Sequence, residues 1–185
     1  MNYDYVGKGV TRLDGIEKVT GEAKYVHDIK LQGMLYAKVK TSPYAHALIK
    51  SIDISKAKAL PGVKAVLTGK DASQKLGIYM IDRPILACDK VRYYGEAVAA
   101  VAAIDIEIAE KAIELIDVVY EELPVVQDVE EALKEESPLV HEDISSNKWM
   151  ENVFSPVIGT NIANLFKIRK GNPEKAFEEA DIIVE

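Results

Sequence analysis

Three histidines, one cysteine and several adjacent carboxylates carry most of the chemistry this sequence could offer, and their spacing decides how much. A zinc site asks for two or more His or Cys ligands at short intervals. His27, His46 and His141 lie far apart, and none has a second histidine at ligand spacing. Cys88 is the single cysteine, so an internal disulfide, a paired-cysteine zinc site and an iron–sulfur cage are all excluded from this chain. His27 and Asp28 are neighbours, but adjacent side chains on a strand point to opposite faces, which disfavours a direct acid–base pair. His46, inside SPYAHA, is expected to hold a loop by hydrogen bonding through its ring nitrogens. Glu121-Glu122 and Glu130-Glu131 are expected to be solvated surface groups, because acid–base catalysis needs a pocket and displaced pKa values. Gly7 and Gly9 give only G-x-G, without a preceding strand or a third glycine, and so make no phosphate loop. No GxxxxGK[ST], HExxH or GxSxG occurs. Tyr93 and Tyr94 lead into Gly95, which reads as a packed strand entry where a side chain in place of the glycine would clash.

The composition sets the background for these residues. The chain has 185 residues, 48% hydrophobic and 29% charged, an ordinary balance for one globular core with a tail or a small second unit. Thirty acidic and 23 basic residues leave a net charge of −7. That sign disfavours nucleic acid, which needs a dense basic face. No run approaches the roughly 18 consecutive apolar residues of a membrane span. The N-terminus, MNYDYVGKGVTRLDGIEK, has neither an apolar signal core nor an Arg-rich transit pattern, and a cytoplasmic location is expected.

Periodicity supplies the elements that must position these groups. Residues 1–23 are rich in Gly and charge and read as an extended arm, with a strand beginning near Ala23. MLYAKVKT alternates as a strand does. HALIKSIDI continues as a strand bent or bulged near Ser51. Ser55 is expected to cap a short helix, KAKAL, that Pro61-Gly62 stops. Residues 63–67 form a short strand. AVAAVAAI after Glu96 is an unbroken apolar run, as in a strand buried on both faces. Asp105 then caps a helix with Ile106, Ala109, Ile113 and Ile116 on one face. DVVYEEL returns as a strand, and strand–helix–strand predicts a parallel pair with a right-handed crossover. Asp128 and Glu131 resemble a capping box for VEEALKEE. Residues 137–165 lack a sustained period and read as a linker or a surface-hugging segment. Asn172 and Pro173 open a last helix running to about Ala180, and DIIVE begins a strand.

Several short elements occur together in a fixed order: Lys18-Val19-Thr20-Gly21, Asp28, Gly33-Met34-Leu35, Ser42-Pro43 with Ala45-His46-Ala47, Pro61-Gly62-Val63, Asp89-Lys90-Val91, Gly95-Glu96-Ala97-Val98-Ala99 and Tyr120-Glu121-Glu122-Leu123-Pro124. No one of them is specific, but the ordered set is. It resembles the N-terminal a/b hammerhead domain of molybdenum hydroxylase large subunits. That family includes xanthine dehydrogenases, aldehyde oxidases and aerobic carbon monoxide dehydrogenases. The resemblance implies an α/β (α+β) hammerhead domain with a mixed sheet and a C-terminal extension. Its expected extents are 1–144 for the hammerhead with its arm, and 145–185 for a linker and the truncated start of the molybdenum-cofactor domain.

The resemblance also implies a role. The expected function is that of a structural and partner-binding module, inactive alone, in a larger oxidoreductase subunit. The alternative is a free-standing small-molecule or protein-binding module with the same fold. An independent hydrolase finds no nucleophile–base constellation here. The whole enzyme would hold molybdopterin, as the cytosine dinucleotide, with a [2Fe–2S] subunit and an FAD subunit as partners beside the remaining large-subunit domains. No catalytic, cofactor-binding or metal residue is carried over to this chain. In the segment Gly77–Asp82, Ile78 and Tyr79 match a loop bordering the family's substrate funnel. Two departures stand out. Thr41 replaces the family's Arg before Ser-Pro, which weakens any role for that charge. Gly171-Asn172 replaces Gly-Asp, and Asn caps a helix about as well.

Overall fold

The computed structural model describes residues 3–184. Its contacts divide the chain into an N-terminal unit ending at Leu35 and a second unit beginning at Tyr36. The N-terminal unit contains one short helix, α1 (Gly15–Thr20), with no buried residue. Gly21, at φ 78°, ends it in the left-handed conformation that favours glycine. A 3-10 turn follows at Val26–Asp28, where the Tyr25 amide donates to Asp28 Oδ2 at 2.9 Å. The strand expected near Ala23 does not form; no strand precedes Tyr36 among the described residues.

The second unit is built from two three-stranded sheets and two short ribbons. In chain order its elements are β1 (Tyr36–Thr41), β2 (Ala47–Asp53), α2 (Ser55–Ala59), β3 (Val63–Thr68), β4 (Lys75–Leu76), β5 (Met80–Ile81), β6 (Arg83–Pro84) and β7 (Lys90–Val91). Then come β8 (Ala97–Ala103), α3 (Ile106–Glu114), β9 (Asp117–Glu122), α4 (Val129–Ala132), β10 (Lys148–Trp149) and α5 (Pro173–Glu178). One sheet has the order β1-β8-β3 and the other β7-β2-β9; β4 pairs β6, and β5 pairs β10.

Strand β8 organises the core because its two faces are both apolar. Ala99 and Val101 join Ala57 of α2, Val66 of β3 and Ala112 of α3 in one cluster. Val98, on the opposite face, joins Ala47, Ala87 and Val91. The alanines permit close approach of α2 and α3 to the sheet. The helix α3 is capped as expected: Asp105 Oδ1 accepts from the Glu107 amide at 2.7 Å.

The expected parallel pair is not there. β8 and β9 lie in different sheets, and every strand pairing among the described residues is antiparallel. The mixed sheet is therefore corrected to antiparallel sheets. The physical reason is edge occupancy. β1 and β3 fill both edges of β8, so the strand leaving α3 has no free edge beside it and pairs with β2.

The bulge in β2 is confirmed, with the register to β9 slipping between Ile49 and Ser51. Ser55 does not cap α2: it is the first helical residue, the N-cap position Ile54 has no side-chain cap, and Asp53 Oδ1 accepts from the Ser55 amide at 2.9 Å. Pro61-Gly62 ends that segment, and the φ of 94° at Gly62 is what favours glycine there; a Cβ would come within 2.7 Å of Ile108 Cδ1, the mobile end of a side chain that can shift. Asp128 caps α4 through the Glu130 and Glu131 amides, although the helix ends at Ala132. Asn172 accepts from the Lys175 amide at 3.1 Å and opens α5, which ends at Glu178. The strand expected in DIIVE is absent over 181–184, and Glu185 lies outside the described residues.

Candidate functional site

The loop carrying Ile78 and Tyr79 sits between β4 and β5 and is shaped by backbone crowding. A Cβ on Gly77 would lie 1.6 Å from the Met80 carbonyl oxygen, so only glycine allows the turn. Ile78 is 83% exposed and Tyr79 54% exposed, although both are apolar enough to prefer cover. They border an open groove of about 580 Å³, lined also by Leu76, Pro84, Ile85 and Phe154, with Asp82 and Arg83 at its rim. The far side of the loop is held by β10. Trp149 pairs with Met80, and the Met150 amide donates to the Tyr79 carbonyl at 2.9 Å.

Charged groups gather behind this loop. Lys75 Nζ donates to Asp143 Oδ2 at 3.0 Å and to Asn147 Oδ1 at 2.8 Å. Lys90, only 4% exposed, donates to both carboxylate oxygens of Glu142, at 2.6 and 2.8 Å. His141 Nε2 lies 3.8 Å from Asp82 Oδ2. Burial and the nearby Arg92 charge hold the His141 pKa below the usual histidine value, against the pull of Asp82 and Asp143. For Glu142, burial pushes upward, but the hydrogen bond and charge of Lys90 outweigh it and leave the carboxyl below its usual range. The Lys75 hydrogen bond lowers Asp143. Glu96 moves the other way. Its burial raises it, although its Oε2 accepts from the Arg92 amide at 2.5 Å.

The other residues that drew attention in the sequence are placed apart. His46 Nδ1 lies 2.6 Å from the Pro124 carbonyl, and the Leu123 amide donates to the His46 carbonyl at 2.9 Å, so this histidine does tie a loop down. Its Nε2 is buried without a partner. His27 belongs to the N-terminal unit, in a 3-10 turn rather than a strand. Cys88 is exposed and borders a separate cavity of about 270 Å³ with Lys50, Lys58 and Lys70, of which Lys50 pairs with Glu121 at 2.6 Å. Among the described residues no three His, Cys, Asp or Glu side chains gather as a metal site.

A family model described as "Aldehyde oxidase and xanthine dehydrogenase, a/b hammerhead domain" matches residues 20–124. The chain belongs to this family. The hammerhead chain is 38% identical, over its whole length, to the nicotinate dehydrogenase large molybdopterin subunit of Eubacterium barkeri, covering 40% of that protein. It is 46% identical to the carbon monoxide dehydrogenase large chain of Afipia carboxidovorans over 72% of its own length and 17% of that chain. Among solved structures it resembles the Cu,Mo-CO dehydrogenase in its carbon monoxide reduced state, with a TM-score of 0.75 and 34% identity over 95% of this chain and 23% of that one. The hammerhead chain thus spans well under half of the relatives it matches.

The hammerhead's single cysteine cannot supply the thiolates of an iron–sulfur cage. Two readings of the strand entry before β8 need correction. Tyr94 is exposed and Tyr93 half-exposed, so the pair is not packed. A Cβ on Gly95 would meet nothing within 4 Å; the glycine is needed for its φ of 84°. The groups behind the loop escaped the sequence reading. Lys90 was visible only inside Asp89-Lys90-Val91, and its partner Glu142 stands 52 residues away, where no local pattern links them. No helix among the described residues is long and apolar enough to cross a membrane.

Proposed function

We propose that this chain is the N-terminal structural and partner-binding module of a molybdenum-cofactor oxidoreductase of the xanthine, aldehyde or carbon monoxide dehydrogenase type. Similarity along the whole chain to a large molybdopterin subunit is the observation that carries this reading. Residues 1–144 are the hammerhead with its arm, and 145–185 lead into the cofactor-holding domain. The remaining large-subunit domains, an iron–sulfur subunit with [2Fe–2S] and an FAD subunit are its partners. Molybdopterin, as the cytosine dinucleotide, supplies the redox chemistry in those partners. The hammerhead contributes the exposed apolar loop, with Ile78 and Tyr79 bordering the substrate channel, and a scaffold that holds it. Its use of a single cysteine suits the cytoplasm.

Metal analysis and a visible spectrum test this reading on the purified chain and on the chain assembled with the products of adjacent coding sequence. The expected result is no molybdenum, iron or flavin in the chain alone, and all three in the assembly with turnover. Stoichiometric molybdenum or flavin in the chain alone would overturn it. A chain that binds a small molecule or protein but recruits no cofactor-bearing partner would establish the free-standing binding module instead.

A further inference from the structure

We propose that Lys75, Lys90, Glu142, Asp143 and Asn147 form an ionic clasp that positions the loop Gly77–Asp82, and with it Ile78 and Tyr79. The functional weight of that loop rests on the channel reading above; the clasp itself rests on the geometry.

Apart from the buried Met80, the loop has little else to hold it. The two ribbons at this loop, β4-β6 beside it and β5-β10 within it, are two residues long, far below the size at which a ribbon is stable alone. Ile78 and Tyr79 face outward and add no core packing. Yet both ends of the loop meet one short stretch of chain, residues 141–147. At the first end, Lys75 Nζ reaches Asp143 and Asn147, the residues that flank the 3-10 turn Ile144–Ser146, and so bridges that turn. At the second end, Asp82 faces His141 at 3.8 Å. Lys90 then fixes the same stretch to the second sheet, because it belongs to β7, which pairs with β2. Ile144 and Met80 are buried beside these groups, whereas the Lys75, Asp143 and Glu142 side chains stay partly exposed, at 37%, 45% and 59%.

Burial decides why an ion pair serves at Lys90. A cation taken out of water costs free energy unless it is paired, so Lys90 has one good position for Glu142 to occupy. Such a pair adds little net stability but selects one arrangement over its neighbours. The strand β10 is placed next to Asn147 and thereby receives its register against β5. The clasp residues act on the loop through β10 and touch no substrate, so they are positioning residues.

The test uses the full chain, with amide exchange at 77–82 and 148–150, the fluorescence of Trp149, which is the sole tryptophan, and exchange in β8 as the control. Lys75→Met is expected to speed exchange of the Met150 and Ile81 amides by about tenfold, the size set by losing a charge-assisted hydrogen bond, and to shift the Trp149 emission. β8 should keep its protection, and Lys75→Arg should restore the loop. Unchanged loop exchange would overturn the clasp. Equal acceleration in β8 would also overturn it, by showing a general loss of stability. In the assembled holoenzyme, Ile78→Ala reads the channel assignment separately through KM. A loop loosened by Lys75→Met, with KM unmoved by Ile78→Ala, would uphold the clasp and remove the channel reading alone.

Discussion

At the scale of single residues, Glu96 and Gly95 stand side by side at the entry to β8 and are constrained for different reasons. The Ser42 amide donates to the Glu96 carbonyl, and the Gly95 amide donates to the Ser42 carbonyl, both at 2.9 Å, so this turn is stitched to the end of β1. The buried Glu96 carboxyl has a raised pKa, which fixes the sign of its linkage. A carboxyl whose folded pKa exceeds its unfolded one contributes stability below the unfolded value and loses it as pH rises through the folded value. At pH 7 its charge therefore opposes folding. Glu96→Gln keeps an acceptor for the Arg92 amide, so it should raise the denaturant midpoint at pH 7 and give no gain near pH 4. A lower midpoint at pH 7 would show that the charge itself is needed. Gly95 is constrained by backbone, not by space. Gly95→Val should cost about 1–3 kcal/mol, and Gly95→Ala nearly as much, because the strain belongs to the positive φ. An alanine without effect in urea denaturation, beside a damaging valine, would point back to crowding. Neither constraint is written in the sequence. GEAVAA shows that a glycine precedes a buried strand, but not which of two reasons requires it.

Among elements, legibility followed the range of the determining contacts. Strand β8 was readable because its apolar run reports burial on both faces directly, and the β2 bulge because a broken alternation is local. The caps at Asp105, Asp128 and Asn172 were readable for the same reason. The pairing of β9 was not, since it depends on which edges of β8 are already taken by strands far away in sequence. The candidate site divides in the same way. Ile78 and Tyr79 came from resemblance, and the groove beside them is visible only once β4, β5, β6 and Phe154 are brought together. The helix α3 offers a direct check of how much local signals contribute. Asp105 accepts two amide hydrogen bonds at its first turn, and Ala109 and Ala112 pack on the core. Asp105→Ala should destabilise the chain by about 1 kcal/mol, and Asp105→Asn by much less, since Asn is also a good cap. Thermal unfolding of the two variants distinguishes a lost cap from a lost charge: equal losses would mean that the charge, not the cap, matters.

For the whole molecule, the question is where the self-sufficient part ends. The expected tail, 145–185, contains Trp149, Phe154, Ile162, Leu165 and Phe166 without helical or strand period. The structure splits this stretch by its hydrogen bonds. Up to Leu165 the chain is pinned. Asn161 accepts from the Val140 amide at 3.0 Å and donates to the Pro138 carbonyl at 3.0 Å, and the Leu165 amide donates to the Ser155 carbonyl at 3.1 Å. This is the surface-hugging alternative rather than a free linker. Beyond it, among the described residues, the hydrogen bonds are those of α5 itself, a helix of six residues, too short to be stable alone. Phe166, Ile168 and Ile182 are 76%, 79% and 81% exposed, an apolar face with no cover of its own. Amide exchange should therefore change sharply near residue 165: slow for bonded amides between 140 and 165, fast from 166 to 184 in the chain alone. On the proposed module reading, adding the cofactor-bearing domains that it invokes should slow 166–184 by orders of magnitude and leave β8 unchanged. Slow exchange of 166–184 in the monomer, unaltered by those domains, would mean that this segment completes the hammerhead rather than reaching toward a neighbour, and the module reading would lose its main physical support at that end of the molecule.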